Sequence, residues 1–264
     1  MKKFLSWGYL ILILAFVYVP MLVLAVYSFT DSTVVGKWSG FSLELYKDLF
    51  TGERIRKTII NTVVLALISA SLSTILGTLG AIGIFYNKKL LGKFVKNANH
   101  IPVINAEIVT AISLALVFAL LGIGRSYFAL LIGHVVICAP FVVLSVIPKL
   151  KQMDGSLYEA ALDLGASPFQ ALTKVVIPEI LPGIISGFLL AITLSLDDYM
   201  ISAYTKPTTF DTISTYVYNA VKNQNHSDLP ALRALSAIIF FIMVIAVIVR
   251  NVSATKSLKN KKEI

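Results

Sequence analysis

The chain has 264 residues, 57% of them hydrophobic and only 14% charged, with a formal net charge of +9. A soluble domain carries about 25% charged residues, so the shortfall and the long apolar runs place the chain among integral membrane proteins. In a soluble protein this positive charge would suggest nucleic acid. Here the basic residues sit at the ends of apolar runs, where they set orientation, and no nucleic-acid-binding motif is present.

The first apolar run, 7–29, follows Lys2 and Lys3 in the manner of a signal peptide. It is longer than a signal's apolar region of about 7–15 residues and no small-x-small cleavage site closes it, so it reads as a first span. Tyr18 precedes Pro20 within it. A proline kink there could expose backbone carbonyls, which makes Tyr18 a candidate path residue beside the plainer reading as packing. Residues 41–50 then place Leu45 and Leu49 at i, i+4 with Ser42 as a possible cap, which predicts a short interfacial helix.

Further spans are predicted at 59–86, 101–121, 126–148, 183–204 and 232–250, each near the roughly 20 apolar residues that a membrane helix needs. Run 59–86 is longer than required and must tilt or project. Six spans put both termini on one side. Lys2, Lys3, the lysines of loop 88–96, Lys149, Lys151, Lys174 and the basic tail carry the larger share of the 23 Lys and Arg, so that side is predicted to be the cytoplasm. Segment 212–222 places Ile213, Val217 and Val221 on one face of a second short helix. The single cysteine, Cys138, lies in an apolar run and reads as a small core hydrophobe. His100, His134 and His226 are scattered without metal-ligand spacing. No GxxxxGK[ST] loop is present, so the chain itself is not expected to bind ATP, and a GxSxG nucleophile turn is absent as well.

A hydrophilic segment, 149–182, separates the fourth and fifth spans. Ser156 and Glu159 have the spacing of a capping box opening a helix over 157–164, and Gly165 suits the left-handed position that ends it. Ser167-Pro168-Phe169-Gln170 repeats the logic with Pro168 at the first helical position. The second helix is expected to end near 176, because Pro178 cannot continue it. Two short helices around a turn with Ala160, Ala161 and Ala166 make a shaped knob that something else can approach closely.

This segment resembles the EAA motif of permease subunits of binding-protein-dependent ABC importers: EAA, three residues, Gly, nine residues, then I-x-L-P. Glu159, Ala160, Ala161 and Gly165 match, and the tail reads Val175-Val176-Ile177-Pro178, with Val for Ile and Ile for Leu. The resemblance covers essentially the whole chain, 1–264, as a single transmembrane domain with a tail at 251–264. It implies an all-α, six-span type I ABC importer permease fold with both termini inside, in a bacterial plasma membrane. It also implies that Glu159, Ala160, Ala161, Gly165, Ser167, Pro168 and Pro178 belong to coupling helices that dock into a groove on a dimeric ATPase. That ATPase would bind ATP and Mg, leaving this chain without a cofactor and without enzymatic activity of its own. The other implied partners are a second permease subunit, either a homologue or a copy of this chain, an extracytoplasmic substrate-binding protein and membrane lipid. Segment 212–222 is the candidate contact for the binding protein.

The cargo has to be argued from charges inside the spans, which cost about 2.5–3.5 kcal/mol each at the centre of an inserted helix and are therefore functional candidates. Three acids qualify, Glu107, Asp197 and Asp198, and no Lys or Arg lies deep in a span. Asp197 and Asp198 sit about 21 Å along the fifth span at 1.5 Å per residue. Neighbouring helical residues point about 100° apart, so one of the pair faces the path while the other caps, pairs or meets water. Tyr199 follows and could hold an ammonium on its ring face. Glu107, near the start of its span, could line the path, cap a helix or gate.

Ser195-Leu196-Asp197-Asp198-Tyr199 resembles the polyamine branch of the same family, more narrowly the second permease subunit of spermidine/putrescine systems. Ile101-Pro102 ahead of Glu107 also fits, while Ala106 departs from the Pro common there. A linear polycation suits separated carboxylates and apolar walls. Other cargoes of the class, namely iron, thiamine, phosphonate or an oxyanion, remain alternatives, although an oxyanion path would favour basic residues. A secondary transporter or a membrane enzyme is disfavoured, since no internal repeat and no convergent catalytic cluster is visible. Gly183 and Gly187 form a GxxxG that marks close helix packing, within the chain or against the partner.

Overall fold

The computed structural model describes residues 2–30, 32, 37–87, 90–222, 232–241 and 244, and the regular elements among them are helices. They fall into two units, 1–57 with 217–264, and 58–216.

The first unit holds α1 (Lys2–Tyr27), α2 (Glu44–Thr51), the first residues of α3 (Glu53–Tyr86), the end of α11 (Ile213–Lys222) and α12 (Leu232–Phe241). Pro20 lies inside α1 without ending it. Side chains from Trp7 to Leu24 are exposed, the pattern of a segment that lipid or another protein covers, while Ala25 is buried. In α2, Leu45 and Leu49 are buried, as their spacing predicts. Ser42 is not the cap, however. Leu43 occupies that position, and the Ser42 hydroxyl accepts from the Glu44 amide at 3.1 Å.

The second unit contains most of α3, then α4 (Leu90–Ile104), α5 (Glu107–Leu120), α6 (Tyr127–Gln152), α7 (Ser156–Asp163), α8 (Pro168–Ala171), α9 (Ile177–Asp197) and α10 (Met200–Thr205), with a π turn, Leu172–Val176, joining α8 to α9. Its axis is the pair α6 and α9. Val142, Val146 and Leu150 of α6 are buried with Ile180 and Ala191 of α9 and Ala70, Ala81 and Ile82 of α3. The GxxxG lets the pair approach. A Cβ built at Gly187 would stand 3.1 Å from Val142 Cγ1 and 3.2 Å from Val142 Cα, and one at Gly183 would stand 2.8 Å from Lys149 Cγ. Both glycines thus serve packing within the chain. Gly187→Val should cost about 1–3 kcal/mol through overpacking and lower the thermal midpoint of the detergent-solubilised protein. An unchanged midpoint would show that α6 and α9 are not so closely packed.

Among the described residues, four helical stretches are long and apolar enough to cross a membrane: Trp7–Tyr27, Glu53–Tyr86, Tyr127–Gln152 and Pro168–Asp197. A fifth crossing exists if Phe94–Ile104 and Glu107–Leu120 together make one. The expected third span, 101–121, is therefore not a single helix. The chain is helical from Leu90, breaks after Ile104 and resumes at Glu107 with the axis turned by 112°. Pro102 removes a backbone rung just before the break, and Ala106 adopts an extended conformation (φ −62°, ψ 133°) that starts a new helix. The expected fifth span, 183–204, also differs. Its helix starts earlier, at Ile177, and ends at Asp197, after which Asp198 is extended (φ −61°, ψ 124°) and α10 follows. Of the sixth, 232–250, α12 accounts for Leu232–Phe241, and most of the remainder, like the tail 251–264, lies outside the described residues.

The short helix expected over 212–222 forms as α11, with Ile213 and Val217 half-buried. Thr215, Tyr216 and Ala220 are buried, and Val221 is 60% exposed. The start of the helix is fixed by polar contacts, with the Ile213 amide donating to Thr62 Oγ1 at 2.8 Å and the Thr212 amide to Thr215 Oγ1 at 3.0 Å.

Candidate functional site

The knob between α6 and α9 has two short helices and a fixed turn. Gly165 has φ +86°, its amide donates to Leu162 O at 2.9 Å, and the Ala166 amide donates to Ala161 O at 3.0 Å. This is the paired bonding that ends a helix on a left-handed residue. Ser167 and Gln170 form the expected capping box, with the Ser167 amide donating to Gln170 Oε1 at 3.0 Å and the Gln170 amide to Ser167 Oγ at 3.3 Å.

Two expectations about the knob fail. Ser156 and Glu159 do not cap each other; the Asp154 carboxylate takes both the Ser156 amide at 3.0 Å and the Ser156 hydroxyl at 2.8 Å. That amide and that hydroxyl hold the exposed Asp154 carboxyl below its ordinary range, so the turn keeps its charged acceptor throughout neutral pH and weakens only as acid protonates it. Pro178 does not stop the second helix either. The π turn widens the backbone just ahead of it, Ile177 bonds back five residues to Leu172 O, and the helix runs on with Pro178 and Pro182 inside. A wider turn relieves the clash between a proline ring and the preceding carbonyl.

The knob is anchored on one side and bare on the other. Tyr158 of α7 is half-buried against the main core, its ring 5.1 Å from that of Tyr86 at the end of α3. Glu159, Ala160, Gly165, Ser167 and Pro168 are exposed and Ala161 is half-buried. Leu164 and Phe169 stand 89% and 73% exposed on either side of the turn. Two large apolar side chains flanking a rigid turn of small residues make a surface suited to a groove on another protein.

The second cluster forms where two helices break. α5 packs against α10, so the break before Glu107 meets the break after Asp197. Glu107 thus shares one neighbourhood with Asp198 and Asp197, near enough for each to feel the others' charge. The adjacent aspartates have different environments. Asp198 is buried, and its oxygens accept from the Ile201 amide at 3.1 Å and the Ser202 amide at 2.8 Å, two of the otherwise orphaned donors at the start of α10. Asp197 and Glu107 are exposed, and Tyr199 is half-buried. Tyr18 lies on α1 in the first unit, 47% exposed.

His134, to which the sequence assigned no role, is fully buried on α6. Its Nδ1 bonds Ser195 Oγ at 2.7 Å, and its Nε2 lies 3.0 Å from Ser202 Oγ and 3.3 Å from Asp198 Oδ2. Ser195 in turn bonds Ser69 Oγ of α3 at 2.9 Å. The signal was an ionisable side chain inside a predicted span, the same criterion that singled out the acids. Two basic groups near the end of α10 are engaged. Lys206 pairs with Asp211 at 2.8 Å, and Arg125 donates to Lys206 O at 3.0 Å and Ala203 O at 3.1 Å, closing the carbonyl end of α10.

Residues 1–256 match the family model described as binding-protein-dependent transport system inner membrane component. The chain is 33% identical over 245 residues to the spermidine/putrescine transport system permease protein PotC of Escherichia coli (strain K12), covering 92% of each chain. It is 32% identical over 241 residues to the putrescine transport system permease protein PotI of the same organism, covering 87% of this chain and 85% of that one. Among solved structures, a chain of a bacterial ABC transporter involved in the import of the acidic polysaccharide alginate superposes with a TM-score of 0.69 at 20% identity, over 92% of this chain and 93% of that one, which supports the fold. The chain belongs to the inner-membrane permease components of binding-protein-dependent transport systems.

Proposed function

We propose that this chain forms half of the membrane path of an ABC importer for polyamines. A second permease subunit completes the path, a dimeric ATPase drives it, and an extracytoplasmic binding protein supplies the cargo. Both termini and the knob face the cytoplasm, in keeping with the lysines and arginines near the chain ends, and the full chain makes six spans. The exposed face of the knob, from Glu159 through Phe169, is the surface offered to the ATPase. The relatives PotC and PotI, named for spermidine and putrescine, support the cargo.

The observation that carries the reading is the meeting of two helix breaks at Glu107, Asp197 and Asp198. α9 has 21 residues and so spans about 31 Å, close to the thickness of a bilayer's hydrocarbon core. The carboxylates therefore lie across the hydrophobic layer from the knob, toward the side where a binding protein would deliver cargo. Broken helices are the usual way to present polar groups at such depth. With Lys206 held by Asp211 and Arg125 held by carbonyls, Asp197 and Glu107 leave the open face acidic. A linear polyamine matches that charge, and its methylenes tolerate apolar surroundings.

The test is ATP hydrolysis by the assembled complex in proteoliposomes. Spermidine- or putrescine-loaded binding protein should raise the rate several-fold over unloaded binding protein, while thiamine, ferric iron and phosphonate should not. Stimulation by one of those and not by polyamines would replace the cargo assignment.

A further inference from the structure

We infer that His134 is the positioning residue of the acidic site: it staples the break between α9 and α10 and so fixes which of the two adjacent aspartates turns outward. Breaking a helix leaves carbonyls on one side and amides on the other without partners. Here side chains supply both. Ser214 Oγ donates toward Leu196 O and Asp197 O, each at 3.4 Å, and Asp198 accepts from the Ile201 and Ser202 amides.

Those local bonds satisfy the backbone without setting the angle between the two helices. His134 sets it, because it touches both. Nδ1 holds Ser195, two residues before the end of α9, and Nε2 holds Ser202 inside α10 and Asp198 in the gap. The ring is fully buried on α6, which packs against both α9 and α10, and Ser69 of α3 backs the Ser195 hydroxyl. Gly133, the preceding residue, allows the approach: a Cβ there would meet Ile201 Cγ2 and lie 3.7 Å from Thr205. With Asp198 drawn inward to the imidazole, Asp197 is left outward. His134 touches no open surface and acts through the aspartates. Its effect on cargo rests on the polyamine reading; its effect on geometry does not.

The test reads position 197 directly. Asp197→Cys is introduced with Cys138→Ala into the full complex, and its reaction rate with a cationic methanethiosulfonate is measured with His134 intact and with His134→Ala. Thr209→Cys, in the exposed loop beyond α10, is the control. Losing the bonds that hold the break should change the rate at position 197 by about tenfold and leave the control rate unchanged. Equal rates at position 197 would overturn the inference, as would a parallel change at position 209, which would mean that His134 serves only general stability. If His134→Ala fails to assemble, Ser202→Ala removes only the bond to α10 and should change the rate by about threefold. No change there would also overturn the inference. If the rates shift as expected while the wild-type complex imports no spermidine, the staple stands and the polyamine reading falls.

Discussion

Replacing Asp198 with alanine should remove the permease from the membrane, rather than slow a permease that is still in place. The carboxylate accepts two buried backbone amides at the start of α10 and lies 3.3 Å from the buried His134. Alanine would leave both donors unsatisfied in a part of the protein without bulk water, and hydrogen bonds to charged groups are worth about 1.5–3 kcal/mol each. The combined loss, on the order of 3 kcal/mol or more, is a large fraction of the margin of a typical domain. Asp198→Asn keeps one acceptor oxygen and should fall between wild type and alanine. Membrane yield and the thermal midpoint in detergent check this. An Asp198→Ala protein that accumulates and melts like wild type would show that the carboxylate is not the cap of α10.

Gly165→Pro should abolish import while leaving the helical core of the second unit folded. Gly165 sits at φ +86° and its amide bonds Leu162 O. Proline is confined near φ −65° and has no amide hydrogen, so it can satisfy neither requirement. The turn between α7 and α8 would have to rearrange, and Leu164 and Phe169 would lose their fixed spacing. The change is confined to an exposed segment, so the thermal midpoint of the isolated permease should drop by a few degrees at most for a surface change of this kind. The assembled transporter should either lose its ATPase subunit on purification or hydrolyse ATP without moving cargo. Gly165→Ala, which keeps the amide and strains only the backbone, should retain part of the activity, because a side chain in the left-handed region costs about 1–2 kcal/mol. A Gly165→Pro complex that co-purifies and imports normally would remove the knob from the coupling route.

The sequence made the knob legible because its signals are local. Ser167 with Gln170 and Gly165 each specify a geometry within a few residues, and both form as expected. The failures came where another group competed. Asp154, two residues upstream, outbid Glu159 for the Ser156 amide, and a π turn absorbed Pro178 where a stop was expected. The breaks were less legible. Hydropathy counts apolar residues without registering direction, so 101–121 and 183–204 read as continuous spans although the chain turns at Asn105-Ala106 and at Asp198. Asp197 and Asp198 do differ in environment, but because the helix ends between them and not because of the 100° step expected along a continuous helix. Which of the two turns outward depends on His134, 64 positions away from Asp198 in the chain and brought to it only by the packing of α6 on α9 and α10. Long-range polar contacts of this kind leave no periodic trace.

The most direct measurement is ATP-dependent accumulation of radiolabelled spermidine in proteoliposomes that hold the full complex, with wild-type permease compared with Asp197→Asn. Wild type should accumulate spermidine only with ATP and binding protein present. Asp197→Asn should assemble and melt like wild type, because the exposed carboxylate is not needed to cap α10, yet import about 10–100-fold more slowly for want of a correctly placed charge. Wild-type import with an undiminished rate in Asp197→Asn would contradict the assignment of the outward aspartate to the cargo path, and no spermidine import by wild type would contradict the cargo itself.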